Sequence, residues 1–404
     1  MAKLNVGEEI LRFNTGRDPR RLKFKYKAMR SSAFAFLRGT CHLFYQDLPQ
    51  DAILRKGPAA WISGDLHLEN FGSYKGDNRL TYFDLNDFDE ACLAPCAWEL
   101  LRFLSSLLVG ASTLKIYERE RLTLCQCFLD AYRRNLADGK ARWIERRLAQ
   151  AMVKDLLNEL RDRDRGKFLD RRTERSGKNR SIRIDGKKAL ETPKSKRKEV
   201  IDFLKKFAKE QQHPEFYRFL DMADRIAGTG SLGVERYVVL VEGRGSPDEN
   251  FLLDIKEARP STPSMCLTVS QPKWTDDAAR VVTLQRCMQA IPPALLTPIR
   301  IGKKAYMLKE LQPSEDRVNL ELWNGRLRRL EKVMKSMGEL VAWGQLRASG
   351  WRDAAIREEL SDFGEDTRWV KGLVELAVQR SQLVTKQWQE YARAYDHGVF
   401  KQVT

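Results

Sequence analysis

The apolar residues change period along the chain, and this change constrains the fold more than any compositional figure. From Trp98 to about Glu159 the runs ELLRFLSSLL, YERERLTLCQCFLDAYRRNL and WIERRLAQAMVKDLLNEL place apolar residues at i, i+3 and i+4, the period of a helix. Residues 20–48 read the same way, anchored by Phe24, Met29, Phe34, Phe36, Leu37 and Phe44, as do Glu199 to Lys209 and Phe216 to Ile226. Residues 234–257 then read as two strands, VERYVVLVEG and FLLDIKEA, around the turn GRGSPDEN. A helix is expected over Asp276 to Ala290, with strands at Pro298 to Arg300 and Ala305 to Leu311. After Pro313 the pattern is helical to about Tyr395. The class is therefore α+β. Two helical stretches, 1–225 and 314–404, are expected to pack as one lobe, with a strand-rich second lobe at 226–313.

Composition narrows the setting. The 404 residues are 42% hydrophobic and 9% aromatic, enough for a sizeable core and unlike a disordered chain. No apolar run approaches the ~18 residues of a membrane span. The N-terminus carries Glu8 and Glu9 within its apolar stretch, unlike a signal peptide. Seven cysteines, at 41, 92, 96, 125, 127, 266 and 287, form no CxxC, and there are four His. That disfavours a disulfide framework or structural zinc and fits a reducing cytoplasm. The net charge is +17, and residues 161–200 hold 16 Lys or Arg against 7 Asp or Glu. This basic segment reads either as a solvated, partly mobile insertion or as a patch for an anionic partner.

Three constellations carry chemistry. In Trp61-Ile-Ser-Gly-Asp-Leu-His-Leu-Glu-Asn70, after the short apolar run Ala59 to Ile62, a polar loop presents Asp65, His67 and Asn70. A carboxylate and a carboxamide five residues apart suit phosphoryl transfer, the Asp accepting or orienting a hydroxyl and the Asn offering a neutral oxygen to Mg²⁺. In Thr81-Tyr-Phe-Asp-Leu-Asn-Asp-Phe-Asp-Glu90, a strand expected over Arg79 to Leu85 leads to Asp84, Asp87 and Asp89, hard carboxylates suited to Mg²⁺. Side-chain alternation sets Asp84 and Asp87 on opposite faces unless a turn intervenes. Asp87 is the first choice of ligand, with Asp84 or Asp89 as a second. The third is Gly228-Thr-Gly-Ser-Leu-Gly233, ahead of a strand hairpin that ends in Leu253-Asp-Ile-Lys256. Glycines before a strand, then a strand lysine, follow the kinase order rather than the dinucleotide-binding one. In the helix that follows, Gln285 is the best-placed polar residue to meet that lysine, and no Glu is available.

These residues resemble the aminoglycoside-phosphotransferase and choline-kinase branch of the protein-kinase-like superfamily. GDLHLEN resembles its HGDxHxxN catalytic loop, with Ser63 in place of the first His, and Asp87-Phe-Asp-Glu-Ala91 resembles its metal-binding DFxDA. The continuation CLAPCAWEL then sets Glu99 at a structural carboxylate. More closely, KAMRSSAFAFLRG, GDLHLENFG, FDLNDFDEACLAPCAWELLRFLSS, GTGSLGVERYVVLVEG, LLDIKEA and YARAY resemble the bacterial domain of unknown function 2252 family, from about residue 23 to 395.

The resemblance implies a two-lobed kinase-like fold, circularly permuted because the catalytic loop precedes the glycine loop. It requires the helix near Val341 to Ser349 to end beside the strand at 59–62, and Asp65, Asn70, Asp87 and Lys256 to converge. It implies an ATP- and Mg²⁺-dependent phosphotransferase acting on a hydroxyl, of a small molecule rather than a protein. Asp65 would be the base, with Asn70 and Asp87 (and Asp84) on Mg²⁺. Lys256 and the loop of Gly228, Gly230, Ser231 and Gly233 would hold phosphates, and the stretch from Glu310 to Gln312 would receive adenine. Two alternatives are a catalytically weak nucleotide-binding pseudokinase and a nucleic-acid-binding protein using residues 161–200. The latter segment contains one aromatic, Phe168, so base stacking there is disfavoured.

Overall fold

Helix Cys96–Ala111 runs through the centre of the larger part of the molecule, every residue buried except Trp98. The computed structural model describes residues 5–49, 51–267 and 269–401; residues 1–4 of the N-terminal stretch lie outside the described residues. The 29-residue helix Arg368–Asp396 packs along the central helix, and helix Leu327–Arg347 lies along helix Glu118–Asp138. Side chains from before residue 160 and after residue 320 fill one hydrophobic core, which Val281, Val282, Leu284, Met288, Leu296 and Met307 join. Close approach of the last helix pair depends on Gly338. A Cβ there would stand 2.3 Å from Phe128 O, a backbone atom that cannot swing aside.

The smaller part is a six-stranded antiparallel sheet in the order Thr297–Ile301, Lys304–Glu310, Phe251–Glu257, Arg236–Val241, Phe219–Arg225, Ala189–Leu190. One face is apolar, and Val200 and Leu204 of helix Lys194–Lys209 pack on it against Met222, Val239 and Leu253. The other face presents Val238, Leu252 and Ala223 at one end. By alternation from Leu252, Asp254 and Lys256 follow on that same face.

Three expectations are corrected. Phe216 to Ile226, expected as helix, is a strand over Phe219–Arg225 preceded by a single 3₁₀ turn. Its Met222 and Ala223 are buried on opposite faces of the sheet, so the alternation that marks a half-exposed strand is lost, and tertiary burial overrides the helix-forming Leu, Met and Ala. The sheet unit therefore begins before residue 226. Residues 20–48 form three helices, Pro19–Ser31, Ala33–Gly39 and Cys41–Gln46. The first break is at Ser32, which is extended and whose Oγ accepts from Ala35 N at 3.1 Å. Ile144–Glu145 pairs with Tyr82 and Phe83, so the next helix starts only at Ala151.

The basic segment is folded rather than loose. It supplies a hairpin (Thr173–Ser176 with Asn179–Ile182), the edge strand Ala189–Leu190 and the start of helix Lys194–Lys209. Several of its arginines are ion-paired within the chain: Arg163 with Asp316, Arg172 with Glu315, Arg180 with Asp170 and Asp248, and Arg197 with Asp221. All seven cysteines are free. Among the described residues no helix is long and apolar enough to cross a membrane. Beyond the end of helix Leu327–Arg347 the chain meets the first strand, Ala59–Ile62. Trp61 Nε1 donates to Trp351 O at 2.9 Å, and Ala355 N donates to Ala59 O at 2.7 Å.

Gly338→Ala is expected to destabilise. Overpacking costs about 1–3 kcal/mol, against which helix propensity returns about 1 kcal/mol. The urea midpoint should fall with an unchanged slope.

Candidate active site

The two polar loops lie side by side because of strand pairing. Strand Ala59–Ile62 pairs with Cys92–Pro95, and Phe71–Lys75 pairs with Thr81–Leu85. Residues 63–70 connect the first strands of these pairs and residues 86–91 connect the second, so both loops emerge at the same place. Asn86 N donates to Asn70 O at 2.9 Å. Gly64 has φ +83°, and a Cβ there would lie 2.1 Å from Glu90 O, so only glycine lets the loops approach this closely. Glu99, fully buried, accepts from Ser63 N and Ser63 Oγ, both at 2.6 Å, and from Gln345 Nε2 at 3.2 Å. This carboxylate ties the first loop to the central helix.

Asp65 is held by Arg102 of that helix. Arg102 Nε and Nη2 both donate to Asp65 Oδ1, at 3.0 and 2.6 Å, and Nη2 also donates to Leu37 O at 2.7 Å. Burial pushes the Asp65 carboxyl up and Arg102 opposes it, leaving it above its ordinary value. Asn70 Nδ2 donates to Asp65 O at 2.9 Å, which leaves Asn70 Oδ1 as the atom available to a cation. His67 is driven below its ordinary range by burial, and its Nδ1 accepts from Glu69 N at 3.1 Å, so it is neutral at pH 7.

The sheet meets the second loop at Lys256. Its Nζ is ion-paired with Asp89 and stands 3.9 Å from Asp87 Oδ1. Burial would raise Asp87, but Lys256 and Lys309 hold it below its ordinary value. Asp89 is raised by burial and by the charge of Asp87. Beside them Asp254 is gripped by Arg225 and Arg236, which keep it ionised against the cost of burial.

Two cavities meet here. One, of about 350 Å³, has an apolar end at Val238, Leu252, Met307 and Leu311 and a cationic end at Lys256, Lys309 and Arg236. The other, of about 310 Å³, is lined by Asp65, Asn70, Asp89, Glu90 and the loop from Gly228 to Ser231. Asp87, Gly228 and Arg317 line both. Gly228 has φ +75°, and Ser231 Oγ lies 3.5 Å from Asp89 Oδ2.

The structure thus brings together Asp65, Asn70, Asp87, Lys256, Gly228, Gly230 and Ser231. Gly233 lies at the root of the loop, where its O accepts from Asp18 N at 3.1 Å. Three other residues fall elsewhere. Asp84 is buried away from both cavities, 3.5 Å from Arg347 Nη2, and burial pushes it up to about 6. The turn after Leu85 carries Asp87 off the strand, so Asp89 rather than Asp84 is its companion carboxylate. Gln285 is buried with Nε2 unpartnered, and the partners of Lys256 are aspartates. Glu310 points to the opposite side of its strand from Lys309 and pairs with Arg79 at 2.9 Å and Arg165 at 3.5 Å; its neighbours Leu311 and Gln312 line the larger cavity.

Arg102, Lys309, Arg225 and Arg317 were not singled out from the sequence. Arg102 had a signal, a lone charge within Leu100-Leu101-Arg102-Phe103-Leu104. Lys309 had a weaker one, the alternation Met307, Lys309, Leu311. Among the described residues no group of three or more His, Cys, Asp or Glu is arranged as a metal site. The hard oxygens at this junction are those of Asp87, on the wall common to both cavities, and of Asp89 and Asn70, on the wall of the smaller one, a donor set that fits Mg²⁺ with substrate and water oxygens completing its shell.

A helical body with paired polar loops, set against an antiparallel sheet with a buried lysine at the seam, defines a two-cavity α+β protein. The chain belongs to the DUF2252 family, described as an uncharacterized protein conserved in bacteria, whose model matches residues 17–394. No curated protein and no solved structure matches it.

Removing Arg102 strands a buried carboxylate. Arg102→Met should cost about 3–5 kcal/mol, and adding Asp65→Asn should recover part of it in a double-mutant cycle by urea unfolding. Glu90 supplies a pH test. Burial pushes its carboxyl up to about 7, so the folded chain holds a proton that the unfolded chain releases nearer 4.5. The stability this contributes is full below about pH 4.5 and is lost as pH rises through 7. Glu90→Gln should therefore gain in urea midpoint relative to wild type between pH 5 and pH 8.

Proposed function

We propose that the chain is a phosphotransferase that moves the γ-phosphoryl group of Mg-ATP to a hydroxyl, on a two-lobed kinase-like frame with permuted motif order. The observation that carries this reading is Asp87. It stands where the two cavities join, 3.9 Å from the strand lysine, while Asp65 lines only the second cavity. The meeting of Trp351 and Ala355 with the strand Ala59–Ile62 supports the permuted order. The apolar strip of the larger cavity suits a base, and Lys256 and Lys309 suit phosphates. Backbone N–H groups of the glycine loop can approach the same phosphates. Asn70, Asp87 and Asp89 would hold Mg²⁺, which when bound neutralises charge on the phosphate oxygens.

Asp65 does the acid–base work. Arg102 fixes Oδ1 and leaves Oδ2 to take the proton of the acceptor hydroxyl. The hydroxyl oxygen bonds to the γ-phosphorus, the bond from that phosphorus to the β,γ-bridging oxygen breaks, and ADP leaves. An acceptor cavity of about 310 Å³ favours a small molecule over a protein side chain.

Thermal unfolding with and without millimolar Mg-ATP tests this. A ligand at ~100 times its dissociation constant stabilises by about 2.7 kcal/mol, a shift of a few degrees. Wild type should shift only with Mg²⁺ present, and Asp87→Asn should not shift. Asp65→Ala should keep the shift and lose ATP turnover about 100-fold or more. Absence of a shift with any nucleotide overturns the reading. A shift with no turnover on any acceptor or water leaves the pseudokinase. Nucleic-acid binding that weakens steeply with salt, without a nucleotide effect, leaves the third reading.

A further inference from the structure

The acceptor cavity ends in three cations, Arg17, Lys25 and Arg259, that among the described residues have one ion-paired carboxylate between them. Arg17 lines it, and its guanidinium reaches only Gly230 O, at 3.5 Å, and the face of Phe13, 4.7 Å from the ring centre. Behind it Lys25, 0% exposed, donates to Asn14 Oδ1 at 3.1 Å and Gly230 O at 3.4 Å and forms no ion pair among the described residues. Arg259, on the same wall, keeps a buried Nε with no partner. Its one carboxylate, Glu257 at 3.1 Å, is shared with Lys304 at 3.5 Å.

A buried cation without an anion is costly unless a ligand supplies the charge. The acidic groups of this cavity are already engaged. Asp65 is bound to Arg102, and Asp87 and Asp89 to Lys256. Glu90 accepts from Thr262 N, and Glu257 is the carboxylate shared by Arg259 and Lys304. Burial and the facing charge of Arg259 lower Arg17 to about 10, against the opposing pull of Glu90 and Glu257.

Gly230 relates this corner to the chemistry. Its O faces Arg17, and the position of its absent Cβ is 3.8 Å from Asp65 Oδ2. A compact molecule can therefore present a hydroxyl to Asp65 while a negatively charged group rests against Arg17 and Arg259. We infer that the acceptor of the proposed phosphotransferase is a small hydroxylated anion, carrying a phosphate or a carboxylate that Arg17 and Arg259 bind. This inference rests on the phosphotransferase reading for the role of the ligand, and on the cation corner alone for its charge.

Calorimetric titration of the full chain separates the two. The probes are inorganic phosphate, glycerol 3-phosphate and glycerate, with glycerol and the polycation kanamycin as comparators. Each is run with and without Mg²⁺ and a non-hydrolysable ATP analogue. At least one anion should bind wild type and bind Arg17→Gln at least tenfold more weakly, with glycerol and kanamycin silent. The preferred anion distinguishes phosphate from carboxylate. Arg17 makes no ion pair among the described residues, so its Gln variant should fold; Arg259→Gln is the second variant and should weaken binding likewise. If none of the three anions binds, or both variants bind them as wild type does, while the ATP analogue binds normally, the inference is wrong and the phosphotransferase reading survives. If anion binding depends on Arg17 but no nucleotide binds, the acceptor role fails together with that reading.

Discussion

Lys256 is 4% exposed at the seam between sheet and helical body. A lysine so far from water must be neutralised, and its own sheet does not do it, because the nearby Asp254 is taken by two arginines. The anions come from the other side, from Asp87 and Asp89 on the loop that follows strand Thr81–Leu85. The need is mutual. Two carboxylates a single residue apart repel, and burial makes the repulsion worse. The position of the sheet on the helical body is thus fixed at this point by charge neutralisation, and the boundary between the two cavities falls here because the neutralising groups do.

Strand alternation does the rest. Leu252, Asp254 and Lys256 share one face of their strand, Val238 and Arg236 one face of the next, and Met307, Lys309 and Leu311 one face of the third. Across the strands these make rows that pass from apolar to ionic over a few residues. The opposite face is apolar over most of its area and packs against helix Lys194–Lys209, so the sheet cannot turn over without exposing its core.

The helices at 96–138 and after 320, and the central strands, were legible because each has one clear period over a long run. The site was legible where a motif is local: GDLHLEN, the aspartate cluster, GTGSLG and Lys256 each lie within a few consecutive residues. What failed was non-local. Nothing in the neighbourhood of Asp84 says that Arg347, more than 260 positions away, will bury it, and nothing near Lys256 says that its partners are aspartates far upstream rather than Gln285. Phe219–Arg225 was misread because both of its faces are covered, and with both faces covered a strand has no polar alternation to reveal it. The basic segment looked loose because its counter-charges, Asp316, Glu315, Asp248 and Asp221, lie in other parts of the sequence.

Arg280 restricts movement at the seam. On helix Asp277–Met288 it donates to Ala91 O at 2.6 Å, Asp89 O at 2.9 Å and Arg259 O at 2.7 Å. One side chain thus pins the helix to the aspartate loop and to the exit of the lysine strand together. A swing of this helix would break three hydrogen bonds to buried carbonyls at once, so the helix is a fixed post rather than a lever. The loop from Gly228 to Ser231 closes on itself through Ser231 N to Gly228 O at 3.1 Å, and reaches Arg17, Lys25 and Asp89 through longer contacts at 3.4 and 3.5 Å. The seam thus sets a firmly braced row of aspartates and lysine against a loop with a lighter hold on its neighbours.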